Sequence, residues 1–344
     1  MDKNKISILA LCAILLLGAG LRGHGITQRG IFDYDEAWYL LEAKTLYNTG
    51  RYALARAGLT EDADAALGLK AYIKQRGTVP LTSIKPGHTV LLFTGLLLFG
   101  PHDYAGFLVS MLAGLLTIFL VYRLGREMFG PDVGLLAALF LAVSPFHILY
   151  SRAAYAQANG VCLVTLGAYL WYRAHSCNRC PSSALIWPGL AFGCAFTCHF
   201  NLAWIPVAFA LLETVAVCVQ KNRFPTFQAK GKQLALFGTA MTAPPLLFEL
   251  VGTTAKWMGV FPAGYPTYLG QFAHRSDMAK ALRFSLEQVP FWTSRLLEIE
   301  GLFVLLMTSA GLLVTLWRIR RLKLNDLLLL GLFLAAVAPP SLLA

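Results

Sequence analysis

Three carboxylates, Asp33, Asp35 and Glu36, fall within four positions in the stretch "IFDYDEAWYL" of a 344-residue chain that has only 18 acidic residues. A carboxylate held beside apolar surface is a stronger base than one in water. Such a group can take the proton from an attacking hydroxyl. Asp35 and Glu36 are therefore candidate general bases. The plainer alternative is a pair of solvated acids in the first turn of a helix, where the macrodipole favours negative charge. Asp33 reads as a cap or supporting residue.

Two cationic stretches complement these acids. In "SIKPGH", Lys85 stands on a turn that Pro86 and Gly87 shape by breaking the backbone. Its ammonium can snorkel to a membrane surface or meet a lipid phosphate as a point charge. His88 is a candidate ligand or proton carrier, weighed against a satisfied interfacial histidine. In "SPFHILYSR", Arg152 offers a guanidinium able to grip a phosphate with two parallel hydrogen bonds, weighed against simple headgroup contact. Tyr155 follows three residues on and is a further candidate. Cys177 and Cys180 form a lone CxxC, a poor zinc site without a second pair, and no metal-binding motif is read. Glu213 and Glu249 lie in or near apolar segments, where acids are functional candidates by default. No phosphate-cradling glycine loop of the nucleotide-binding kind occurs.

The elements that must position these groups are membrane helices. The chain is 57% hydrophobic and 14% charged, against roughly a quarter charged in soluble domains. Apolar runs near 6–21, 104–122, 132–149, 158–173, 184–199, 202–219, 233–250, 301–317 and 327–343 approach the ~20 residues that span a bilayer. The expected fold is all-α: a multi-pass transmembrane helical bundle of about nine or ten spans. The net charge of +11 falls in short clusters between apolar runs, the pattern of inward-facing loops, and not in a nucleic-acid surface. This threading puts the N-terminus in the cytoplasm and loops 22–88 and 251–300 outside. Residues 1–250 form the expected catalytic region, 251–300 an outer loop, and 301–344 the C-terminal helices. The run 89–99 is too short for an untilted span and is read as re-entrant or interfacial. Trp38 to Leu41 suit a helix lying at the interface, and "TEDADAA" at 60–66 reads as solvated. The first segment is read as an uncleaved signal anchor. The apolar end of the chain reads as that of a piece of a longer protein.

The acidic pair Asp35-Glu36 in the first outer loop, the Lys85-Pro86 turn before the next apolar segment, and the later Ser144-Pro145…Ser151-Arg152 hairpin occur in an order that resembles the polyprenyl-phosphate-dependent glycosyltransferases of the GT-C fold. The bacterial branch related to protein O-mannosyltransferases and the lipid A aminoarabinose transferase is the most similar. The resemblance covers about residues 5–175. It implies an inverting sugar transfer outside a bacterial inner membrane, from a polyprenyl-phosphate-linked donor to an acceptor hydroxyl on a protein, glycolipid or polysaccharide. Asp35 would match the catalytic base, with Glu36 beside it orienting it or helping to hold a divalent cation. Lys85 and Arg152 would neutralise the leaving lipid phosphate. Two departures stand out: Gly87 replaces a second proline found in relatives, and Ala156, Gln157 and Ala158 stand where some relatives place a second Asp. The rival readings are a transporter or lipid flippase, which usually shows paired broken helices and repeat symmetry, and an inactive lipid-binding relative.

Overall fold

The computed structural model describes residues 3–76, 85–176, 181–199, 208–214, 227–257 and 267–270, with Leu202, Ser294 and Glu298 as isolated positions. The protein is an all-α, multi-pass membrane protein. Its helices are α1 (Lys3–Gly23), α2 (Tyr34–Arg56), α3 (Leu69–Gln75), α4 (Pro86–Phe99), α5 (Asp103–Phe129), α6 (Pro131–Val143), α7 (Pro145–Ser151), α8 (Ala156–Ser176), α9 (Ile186–Cys198) and α10 (Phe227–Trp257). Among the described residues, α1, α5 and α10 are long and apolar enough to cross a bilayer, and α6 with α7 makes a fourth if the bent pair is one span. The expected spans 301–317 and 327–343, most of 202–219 and 251–300, and the Cys177–Cys180 pair lie outside the described residues.

The run 132–149, read from sequence as one span, is broken. Helices α6 and α7 meet at 64° across Ser144. The cause is local: Pro145 cannot donate the hydrogen bond that would continue α6, and the Ser144 side chain accepts from the His147 backbone N–H at 3.2 Å to start a new helix. The carbonyls orphaned by this restart find their donors on α1. Arg22 is fully buried. It donates to the carbonyls of Ala142 at 2.9 Å and Leu141 at 3.3 Å, and also to Gly18 O, Ser151 Oγ and His147 Nδ1. All five guanidinium N–H groups are thereby used, and one arginine near the end of the first helix seals a break some 120 residues away.

Helix α4 has 14 residues, a length of about 21 Å against a hydrocarbon core of about 30 Å. It is therefore too short for an untilted span, as expected of the run 89–99. Pro86 begins it, with Lys85 at the N-cap. Gly87 has a packing reason to be neither proline nor anything larger: a Cβ there would collide with Thr197 on α9.

Helix α2 buries Glu36, Tyr39, Leu40 and Ala43, a stripe at helical spacing. Leu40 and Ala43 pack with Leu92 and Leu96 of α4 and Ala105 and Phe107 of α5. The helix expected to lie flat in the interface through Trp38–Leu41 thus turns Tyr39 and Leu40 into protein; Phe32 and Tyr34 are the exposed aromatics beside it. The acidic stretch at 60–66 is also more structured than expected. Asp62 accepts from Tyr72 Oη at 2.6 Å and pairs with Arg76 at 3.2 Å. The Tyr72 hydroxyl is the main reason that the Asp62 carboxyl is held below its usual range.

Candidate active site

The candidate residues gather around the N-terminal turn of α2, the start of α4 and the turn 152–155 between α7 and α8. The two adjacent acids have opposite environments. Glu36 is 0% exposed. It takes a 2.7 Å ion pair from Arg29, 2.8 Å from the Ala154 backbone N–H and 3.0 Å from the Phe32 backbone N–H. These bonds tie the first outer loop, α2 and the 152–155 turn into one unit. Asp35, one residue earlier, is exposed. Its Oδ2 accepts from Tyr39 Oη at 3.1 Å, an i,i+4 pair on one helix face.

Tyr39 also accepts a hydrogen bond from Lys85 Nζ, and the ammonium lies 4.4 Å from the centroid of its ring. Lys85 is only 8% exposed. A single hydroxyl therefore links the candidate base to the candidate phosphate-binding lysine. His88 is buried beneath it, edge-on to the Tyr39 ring at 5.2 Å. The ring nitrogens of His88 face the Ala154 carbonyl at 3.0 Å and Asn159 Nδ2 at 2.9 Å. Because the carbonyl can only accept, Nε2 carries the proton and Nδ1 receives the amide. His88 is thus a satisfied packing histidine that fixes the same turn as Glu36.

Arg152 lies on the other side of that turn. It donates to the His24 carbonyl at 2.6 Å. With Arg29, Gln28, Phe32, Pro145 and Leu149 it lines an open groove of about 610 Å³. Two guanidiniums, one amide and apolar walls suit an anionic head with a hydrocarbon tail. Lys85 is not part of the groove lining. Tyr155 donates to Asp33 Oδ2 at 2.8 Å. This donation is the main cause of the lowered Asp33 pKa, whereas burial, then the same bond, raises that of Tyr155. Asp33 is accordingly a poorer base than an ordinary carboxylate.

A cation bridging Asp35 and Glu36 does not fit. Glu36 has three of its roughly four lone-pair directions filled, and Arg29 already supplies its positive charge. Among the described residues, no group of three or more His, Cys, Asp or Glu side chains is placed to hold a metal ion. Two residues that the sequence reading passed over complete the arrangement: Tyr39, detectable by its spacing of four from Asp35, and Arg29, an outer-loop arginine beside the acids.

Residues 85–248, just under half of the chain, match the family described as dolichyl-phosphate-mannose-protein mannosyltransferase. The match begins at Lys85 and includes Arg152; Asp35 and Glu36 precede it. A Bacillus subtilis protein named "putative mannosyltransferase YycA" is 30% identical over 124 residues, which is 35% of this chain and 17% of that protein. The aligned part is thus a minor portion of the relative's length. Over just under half of its length the chain is thus similar to a mannosyltransferase family.

Proposed function

We propose that the chain carries the catalytic face of a membrane glycosyltransferase that moves a sugar from a polyprenyl-phosphate donor to an acceptor hydroxyl at the outer side of a bacterial inner membrane, with inversion. The observation that carries this reading is the exposed Asp35, held on one oxygen by Tyr39 and hydrogen-bonded through it to Lys85. The acceptor O–H gives its proton to Asp35. The acceptor oxygen then bonds to the anomeric carbon from the side opposite the phosphate. The bond from that carbon to the phosphate oxygen breaks, and the electron pair leaves with the phosphate. Lys85 and Arg152 stabilise the charge that develops there, each sharing or exchanging its present contact with Tyr39 or the His24 carbonyl. The groove beside Arg152 suits the first units of the lipid, and surrounding membrane lipid takes the rest. No step runs through a metal. The acceptor, whether protein, glycolipid or polysaccharide, is left open by these residues.

The broken helix pair α6–α7 is a feature that a transporter would share. Its freed carbonyls, however, are sealed by Arg22, whereas broken helices in transporters present such groups to a substrate or ion. The test is release of sugar from radiolabelled polyprenyl-phosphate hexoses by membranes holding equal amounts of wild type or Asp35→Asn, with a crude acceptor extract. Turnover by wild type alone supports the reading. Equal behaviour across all donors sinks it.

A further inference from the structure

The Lys85–Tyr39–Asp35 chain has a consequence beyond the placement of its ends. Tyr39 has one proton and two lone pairs. It spends the proton on Asp35 and accepts from Lys85. Its ring is buried, packed edge-on to His88, so the hydroxyl oxygen is held in place between the two partners. An ammonium pulling on the phenol oxygen makes the phenol a better donor, and a better donor stabilises the ionised carboxylate and lowers its basicity. A phosphate arriving at Lys85 competes for the same ammonium. As Lys85 turns its charge to the phosphate, Tyr39 donates less strongly to Asp35, and Asp35 becomes a stronger base.

We infer that Tyr39 is a positioning residue that couples donor binding to the strength of the base: Asp35 is restrained while Lys85 rests on Tyr39 and is released when the donor phosphate takes Lys85. This rests on the proposed function, which makes Lys85 a phosphate contact. It gives the site an order, donor before proton abstraction.

Coupling between two sites is reciprocal, so the device is measurable from the phosphate side without turnover. The probe is farnesyl monophosphate, titrated into the full chain in nanodiscs at one fixed pH near neutrality, with wild type, Asp35→Asn, Tyr39→Phe, the double variant, and Lys85→Gln. An ionised Asp35 organises Tyr39 to hold Lys85, so Asp35→Asn tightens farnesyl phosphate by about fivefold in the Tyr39 protein, within the usual range of coupling. In the Tyr39→Phe background the same change has less than about a twofold effect, the remainder being direct repulsion between charges. Equal tightening in both backgrounds overturns the coupling while leaving Lys85 and Asp35 in their roles. If Lys85→Gln binds the probe as wild type does, or if wild type does not bind it, the phosphate assignment itself fails, a result distinct from failure of the coupling. Circular dichroism and thermal midpoints of each variant confirm that folded proteins are compared.

Discussion

Two regions of this molecule concentrate buried ionisable groups, and they use them differently. Near the start of α2, Glu36 is enclosed and satisfied while its neighbour Asp35 stays exposed and linked to a lysine. Between α8, the segment 208–214 and α10, Glu213 is enclosed, and among the described residues of that segment it has no exposed carboxylate beside it. It accepts from Trp171 Nε1 at 2.7 Å and Gln233 Nε2 at 3.2 Å, and lies 3.1 Å from His175 Nε2. An acid within an apolar segment is a functional candidate by default, and by that rule Glu213 outranks Asp35. The structure reverses the order. Glu213 joins helices, as Glu36 joins a loop to a turn. Of these three acids, Asp35 combines a fixed orientation with access for a reacting hydroxyl.

The largest expected effect breaks the comparison most directly. Asp35→Asn keeps the shape and the Tyr39 contact but removes the basic oxygen, and turnover should fall by about 10² to 10⁴. Because the side chain is exposed, stability should change by less than about 0.5 kcal/mol. Substantial turnover by this variant would place the chemistry elsewhere. Glu213→Ala should do the converse. Leaving the buried donors of Trp171 and Gln233 without their acceptor costs about 1–3 kcal/mol, read as a lowered unfolding midpoint in detergent, while the protein that remains folded keeps its specific activity. A stable but inactive Glu213→Ala would mean that this cluster, too, belongs to a site.

Glu36→Gln sharpens the division within the acidic pair itself. The amide keeps the volume but loses the ion pair with Arg29 and points N–H toward backbone donors, a cost of about 1–3 kcal/mol. Activity should fall by no more than about tenfold, since the loss acts through the loop and turn. A loss as deep as that of Asp35→Asn would give Glu36 a direct part in the chemistry.

How much of this was legible beforehand depends on how local each device is. The helical membrane class follows from composition, and the start of α4 follows from Pro86 alone. The break at Ser144–Pro145 was also written locally, as a capping serine followed by a proline inside an apolar run, yet the continuous apolar count concealed it. Tyr39 was visible as the fourth residue after Asp35. Its bond to Lys85 was not, because nothing in the sequence across a separation of 46 fixes how α2 lies on α4. The same holds for Glu36, whose partners at 29 and 32 are near in sequence while Ala154 is not, and for Arg22, which reads as an ordinary flank of the first span until the carbonyls of Leu141 and Ala142 come to meet it. Adjacent acids look alike in a sequence. Their difference is made by what the rest of the fold brings to one and withholds from the other.

The smallest expected effect concerns the third acid. Tyr155 donates to Asp33, and this bond leads the causes that hold the Asp33 carboxyl below its ordinary range. A group whose folded pKa is depressed contributes stability that is present above its unfolded pKa, about 3.9 for Asp, and is lost as pH falls through the lower folded value. Tyr155→Phe removes the leading cause, so the titration midpoint of Asp33 should move up toward the ordinary range, followed by carboxyl carbon NMR of labelled protein. Wild type should hold a slight advantage in unfolding midpoint near pH 7, and this advantage should shrink as the pH is lowered below both values. Asp33 is exposed, so solvent screening keeps the change small. An unchanged titration would show that Tyr155 merely lies against Asp33 and does not hold its carboxyl below the ordinary range.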